Sequence, residues 1–330
     1  MLPARLASPG TTARKTNYRS APKPTPSLRC WGGVRGLSRR DRQQRDRGHR
    51  PALPIQAEAM AAARLDLVTA GTPLDVLDAV NPTADGMAFL NGVEHPILRE
   101  QIRDDFVNAQ FRRDIYQRGV RRLSPREHRE ALLATRIVLL RRADLIPLKV
   151  KGAAHEATLQ EAVHAPLLAE LASGAYAPKT LGDLMQALPG VALARLVEAA
   201  AVLVGAGHAA PCQNEAAVQS VRQTSDALNR HLIERARLNS DIAFLASPVI
   251  GAGVAVNRFQ QLFLLARSRG GERPADWARS VWQLLSDQGQ KLVKDGQTLE
   301  TAGANIDELV GQAVAFADEP LPILRALEIA

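Results

Sequence analysis

Residues 105–141 read DFVNAQFRRDIYQRGVRRLSPREHREALLATRIVLLR, and the periodicity of this stretch sets the expected fold. From Pro96 onward apolar residues recur at Leu98, Ile102, Phe106, Phe111 and Ile115, in steps of four or five with Arg and Asp between them. Such spacing forms one stripe of an amphipathic helix, which predicts a helix from Pro96 to Arg118 stopped by Gly119. On that helix Asp114 and Arg118 stand one turn apart and would pair, a contact worth a few tenths of a kcal/mol if exposed. Arg112, Arg113 and Arg118, with Arg121 and Arg122, form the one notable charge group outside the N-terminus. They read either as a solvated helix face or as a face that meets a protein partner or an anion, since guanidinium forks suit carboxylate and phosphate. Phe111 and Tyr116 read as core residues. Ser124-Pro125-Arg126-Glu127 has capping-box spacing with proline in the first helical position, so a second helix should start there.

The segment Phe111-Arg112-Arg113-Asp114-Ile115-Tyr116-Gln117-Arg118-Gly119 resembles the predicted regulatory domain that lies downstream of bacterial class I S-adenosylmethionine-dependent methyltransferases. Similar matches continue through Ile146-Pro-Leu-Lys-Val-Lys-Gly-Ala, Glu156-Ala-Thr-Leu-Gln-Glu, Val204-Gly-Ala-Gly-His, Phe244-Leu-Ala-Ser-Pro-Val and Leu292-Val-Lys-Asp-Gly, so the resemblance covers roughly residues 55–330. It implies a regulatory region whose partner is a methyltransferase catalytic domain, in cis or in trans. S-adenosylmethionine would belong to that catalytic domain in full-length relatives, with no cofactor on this chain. Arg112, Arg113, Asp114, Tyr116 and Arg118 become the candidate interaction residues, and no catalytic or metal residues are implied.

Charge divides the chain. Residues 1–50 carry thirteen Lys or Arg against two acids, and residues 51–330 carry twenty-nine against thirty-two. The basic balance therefore belongs to the first fifty residues and is no sign that the rest seeks nucleic acid or membrane. That stretch has Pro and Gly throughout and little apolar periodicity, so disorder is expected for residues 1–52. A nucleic-acid or membrane-seeking arm, an Arg-rich transit peptide and an artefactual start are its three readings. The remainder, mainly α with a few short strands (α+β), divides into a helical part at 53–155, a winged-helix-like unit at 156–222 and a helical part at 223–330. No apolar run is long enough to span a bilayer, and a cytoplasmic protein without a membrane partner is expected.

Strands are expected at Thr135–Leu140 and Leu145–Val150, where β-branched and apolar residues cluster. From Gln160 to Cys212 the order is helix, Thr180-capped helix, Pro189-Gly190, then a long Ala/Leu/Val helix ending at Gly205 or Gly207. This order resembles a winged helix, with the wing hairpin expected to pair 208–212 with 216–221. Further helices are expected at Thr224–Leu238, Arg258–Ser268, Pro274–Gln288 and Asn305–Ala317, with extended segments from Ile242 to Val256.

Other motifs lack the context that chemistry needs. A class I methyltransferase loop follows a strand, because glycines there let backbone approach the cofactor. Val204-Gly205-Ala206-Gly207 follows an alanine-rich, helix-favouring segment and reads as a helix C-cap. Ile250-Gly251-Ala252-Gly253 lacks a third glycine at the right step and an acid some twenty residues on. His128, His155 and His164 have no metal-ligand spacing, and Cys212 has no neighbouring base signature. DNA binding would need cations on the helix 192–204, which offers Arg195 alone beside Glu198, so no nucleic acid is expected for the folded part. A winged-helix DNA-binding regulator and an orphan truncated fragment are the alternative readings.

Overall fold

A computed structural model describes residues 53–78, 80, 83–109, 112–152 and 156–330. The chain divides into two compact units, Met1–Pro51 and Ala52–Ala330. The first lies outside the described residues, and so do the expected disorder of the N-terminus, Phe111 and His155.

Twelve α-helices and several small antiparallel strand pairs make up the described residues, a mainly helical fold. The order is α1 (Leu53–Ala62), β1 (Leu65–Ala70), a 3₁₀ turn (Pro73–Val76), α2 (Ala84–Asn91), α3 (Pro96–Phe106), β2 (Asp114–Arg118), α4 (Pro125–Ala134) and β3 (Arg136–Leu139). There follow β4 (Lys149–Lys151), β5 (Glu156–Thr158), α5 (Glu161–Ala172), β6 (Lys179–Thr180), α6 (Leu181–Ala187), α7 (Leu193–Gly205) and β7 (Ala209–Pro211). The remainder is α8 (Glu215–Arg235), β8 (Phe244–Ser247), β9 (Ala252–Ala255), α9 (Arg258–Ser268), α10 (Pro274–Asp287), β10 (Val293–Lys294), β11 (Gln297–Thr298), α11 (Ala302–Asp318) and α12 (Pro320–Ala326).

The helix expected to reach Arg118 stops at Phe106, and residues 114–118 form a strand paired antiparallel with β1, Asp114 opposite Ala70 and Arg118 opposite Leu65. Gly119, expected as a helix stop, follows this strand with a positive φ of 65°. The capping boxes at Ser124 and Thr180 are formed, each hydroxyl accepting from the third residue's N–H while that residue's carboxylate accepts from the cap N–H. Such a cap contributes about 1 kcal/mol.

β3 is the middle strand of a three-stranded sheet ordered β6-β3-β7. Its alternation serves two cores. Ile137 and Leu139 pack with Leu167, Leu184, Leu196 and Leu203, whereas Val138 faces Phe263, Trp277 and Phe316 on the other side. Side chains of successive strand residues point to opposite faces, so a short strand can join two hydrophobic clusters. The expected wing is absent from its place: 216–221 lies within α8, which starts at Glu215, nine residues before the expected helix start, and runs past residue 222. β7 pairs instead with β3, Ala209 opposite Leu139 and Pro211 opposite Ile137. The strand expected at 145–150 is a 3₁₀ turn at Ala143–Leu145 followed by β4 from Lys149.

Candidate functional site

The strand conformation of 114–118 sorts the arginine motif by parity. Arg112, Asp114 and Tyr116 are half-buried, while Arg113, Ile115 and Gln117 are exposed. A helix would have spread these six side chains around its circumference; an extended segment sends them alternately inward and outward.

On the inner side the Arg112 guanidinium meets three carboxylates: Asp114 through Nε at 2.5 Å, Asp104 through Nη1 at 2.8 Å and Glu100 through Nη2 at 3.4 Å. The Asp114 partner expected from sequence, Arg118, instead donates from Nη2 to the Ala63 carbonyl at 3.4 Å. Only 9% of the Arg112 side chain and 2% of Asp114 are exposed. Burial pulls the Arg112 pKa down, but Asp114, Asp104 and Glu100 together outweigh it and hold the value above the ordinary one. The network continues through Arg103, which pairs with Glu100 and, at 2.6 Å, with Asp78. Arg99 reaches Asp78 at 3.0 Å and the Leu90 carbonyl at 3.2 Å. Thus the turn at Asp78, the end of α2, the length of α3 and the lead into β2 are clamped by one set of charges. Buried ion pairs of this kind recover at best their desolvation cost, but removing one partner leaves the other charge buried and unpaired.

Tyr116 shares the inner side. Its hydroxyl is enclosed without a hydrogen-bond partner among the described residues, and burial, then the negative charge of Asp114, raise its pKa. Among the described residues it joins none of the hydrophobic clusters.

The outer side is different in kind. Ile115 is 50% exposed, and Val68, which forms a bulge in β1 next to the Thr69–Ile115 pair, is 48% exposed. Arg113 lies beside them, its carbonyl accepting from the Gly71 N–H at 2.6 Å while its side chain is exposed. Phe89 and Phe106 are also exposed and meet edge to face, ring centroids 6.0 Å apart. Seven of the fourteen exposed large apolar side chains among the described residues fall between Ile55 and Leu123, so apolar exposure concentrates in this one segment.

The other sequence candidates occupy structural positions. Gly205 lies in the last turn of α7, where a Cβ would come within 2.6 Å of Leu74 Cγ, and Gly207 takes the positive φ that closes the helix. Gly251 turns the hairpin between β8 and β9 with φ 64°. Arg195 on α7 is paired with Glu198 at 3.1 Å, and the helix buries Leu196, Ala199, Ala200, Val202 and Leu203. His164 is buried and its Nδ1 faces the Gln160 carbonyl at 3.0 Å. The Cys212 thiol is half-buried, and burial raises its pKa to about 11. No group of three or more His, Cys, Asp or Glu among the described residues could hold a metal ion.

Comparison with known proteins places this segment. Residues 55–118 match the family described as the predicted methyltransferase regulatory domain. The chain is 38% identical over 275 residues to the uncharacterized protein sll1526 of Synechocystis sp., a match covering 83% of this chain and 53% of that protein. The chain therefore spans about half the length of the curated relative it matches. Among solved structures it is similar to PKMT2 from Rickettsia typhi in complex with AdoHcy, with a TM-score of 0.50, 14% identity, and coverage of 84% of this chain and 58% of that one. At that identity the likeness concerns the fold.

Proposed function

We propose, from the match of residues 55–118 to the predicted methyltransferase regulatory domain, that this chain is a regulatory region acting by packing against a methyltransferase catalytic domain. The observation that carries the reading is the outer side of the β1–β2 ribbon. It gathers Val68, Ile115 and Arg113 inside the matched segment and leaves them uncovered. The AdoHcy bound by PKMT2 supports a methyltransferase context, and the length of the Synechocystis relative, about twice the matched portion, leaves room there for a further domain. In this reading S-adenosylmethionine is held by the catalytic partner, in cis or in trans, and methyl transfer is that partner's chemistry. Protein packing is favoured over DNA binding because α7 spends its apolar face on the core and its one cation on Glu198. Among the described residues no helix is long and apolar enough to cross a membrane, and a cytoplasmic location fits the proposal.

The test mixes the chain with a separately expressed catalytic domain from a longer relative and follows association by calorimetry. Ile115→Asp with Arg113→Ala should weaken association at least about tenfold while circular dichroism and the unfolding transition stay unchanged. Association unaffected by the double variant would place the contact elsewhere. No complex with the unaltered chain would remove the packing reading.

A further inference from the structure

A second feature lies away from the ribbon, in the groove between α8 and α9. It is an open groove with a volume of about 670 Å³ whose walls include Arg230, Ile233, Leu264, Leu265, Arg267 and Ile329. Arg267, in the last turn of α9, is half-buried, and its guanidinium makes no ion pair or hydrogen bond with any described residue. Arg325, in the last turn of α12, acts on it electrostatically and is likewise without a carboxylate partner. Burial and then the nearby Arg325 both lower the pKa of Arg267. Arg230 adds a third cation, its Nε bonded only to the Asp226 carbonyl at 3.4 Å. Of the acids in the wall, Glu234 is taken up by Arg237 and Arg269, which leaves the Asp226 carboxylate and the α-carboxylate of Ala330, neither within ion-pair distance of Arg267, beside Arg230 and Arg267.

Several other arginines of the molecule are paired. Arg112, Arg142 and Arg222 each face at least one carboxylate within ion-pair distance. A half-buried guanidinium without such a partner, beside another cation and an apolar wall, matches the way sites are built for an anion with a hydrophobic body. We propose that this groove binds a small organic anion, a carboxylate or phosphate monoester, with Arg267 as the principal contact and Ile233, Leu264 and Ile329 holding its apolar part. The site is independent of the packing surface on the ribbon.

The experiment is calorimetric titration of the full chain with hexanoate and with hexyl phosphate, and with hexanol as a neutral control. Saturable binding of either anion, with hexanol bound far more weakly, is the expected result, and the tighter of the two identifies the head group. Arg267→Ala should weaken binding at least about tenfold, and Arg267→Lys, which keeps the charge but loses the fork, should retain part of it. Because the arginine is held against another cation, Arg267→Ala should leave the unfolding temperature unchanged or raise it. Absence of saturable binding, equal binding of hexanol, or Arg267→Ala binding as well as the unaltered chain would overturn the proposal. So would a marked fall in unfolding temperature for Arg267→Ala, which would make the residue a structural support.

Discussion

Arg112 Nη1 lies 2.8 Å from Asp104 Oδ1, tying the entry of β2 to the last turn of α3. Together with the contact to Asp114, this makes Arg112 the centre of an enclosed charge network, while its neighbour Arg113 projects outward.

Adjacent arginines should therefore respond differently to the same substitution. Arg112→Ala leaves Asp114 buried without its cation and is expected to cost about 3 kcal/mol in chemical denaturation. Arg113→Ala is expected to change stability by less than about 0.5 kcal/mol. Equal costs for the two would mean that the alternation has no energetic weight.

Cofactor binding by the chain alone is the second matter. Gly205 is needed for the close approach of α7 to Leu74, and Gly251 for a hairpin turn, so each is already explained by packing or backbone geometry. Calorimetry of the full chain with S-adenosylmethionine should show no saturable heat. A one-to-one isotherm would reveal a binding site of a kind that neither glycine pair forms.

Thr180 gives a test by pH. Its side chain, then its backbone, hydrogen-bond to Asp183 and hold that carboxyl below the usual carboxylate range. A depressed folded pKa means that the stabilisation is complete above the ordinary aspartate value and is lost as pH falls through the lowered one. Thr180→Ala should cost about 1 kcal/mol near neutral pH. The gap between the two proteins should narrow in urea melts once the pH drops below about 4. A gap constant through the acid range would show that Asp183 is not coupled to the cap.

Local signals in the sequence predicted local structure well. Ser124, Thr180 and Asn257 each cap a helix that starts where expected, and α9 spans Arg258–Ser268 as read from its pattern. The misreading at 107–118 has a physical source. Leu98, Ile102 and Phe106 do lie on a helix, and Ile115 continues their spacing by coincidence, but Asn108 takes a positive φ of 48° and ends the helical path. Strand character there depends on pairing with β1, some fifty residues earlier, which no window around Arg112 can contain. β7 was misassigned for the same reason, its partner β3 being about seventy residues upstream. One missed element did carry a local signal: Asp295 and Gly296 both have positive φ in the hairpin of β10 and β11, and Asp-Gly is the preferred pair for such a turn. Residues 112–118 stand out in the sequence as a group, yet which of them face inward is set by the strand.

The ribbon also constrains chain length. Inserting or deleting a single residue between Arg112 and Arg118 would exchange the two faces, driving Ile115 toward the carboxylates of α3 and placing Asp114 in solvent. Relatives that keep this architecture should therefore accommodate length changes in the loop 119–124, where the exposed Val120 and Leu123 belong to no strand register, and keep the spacing from Arg112 to Arg118 fixed.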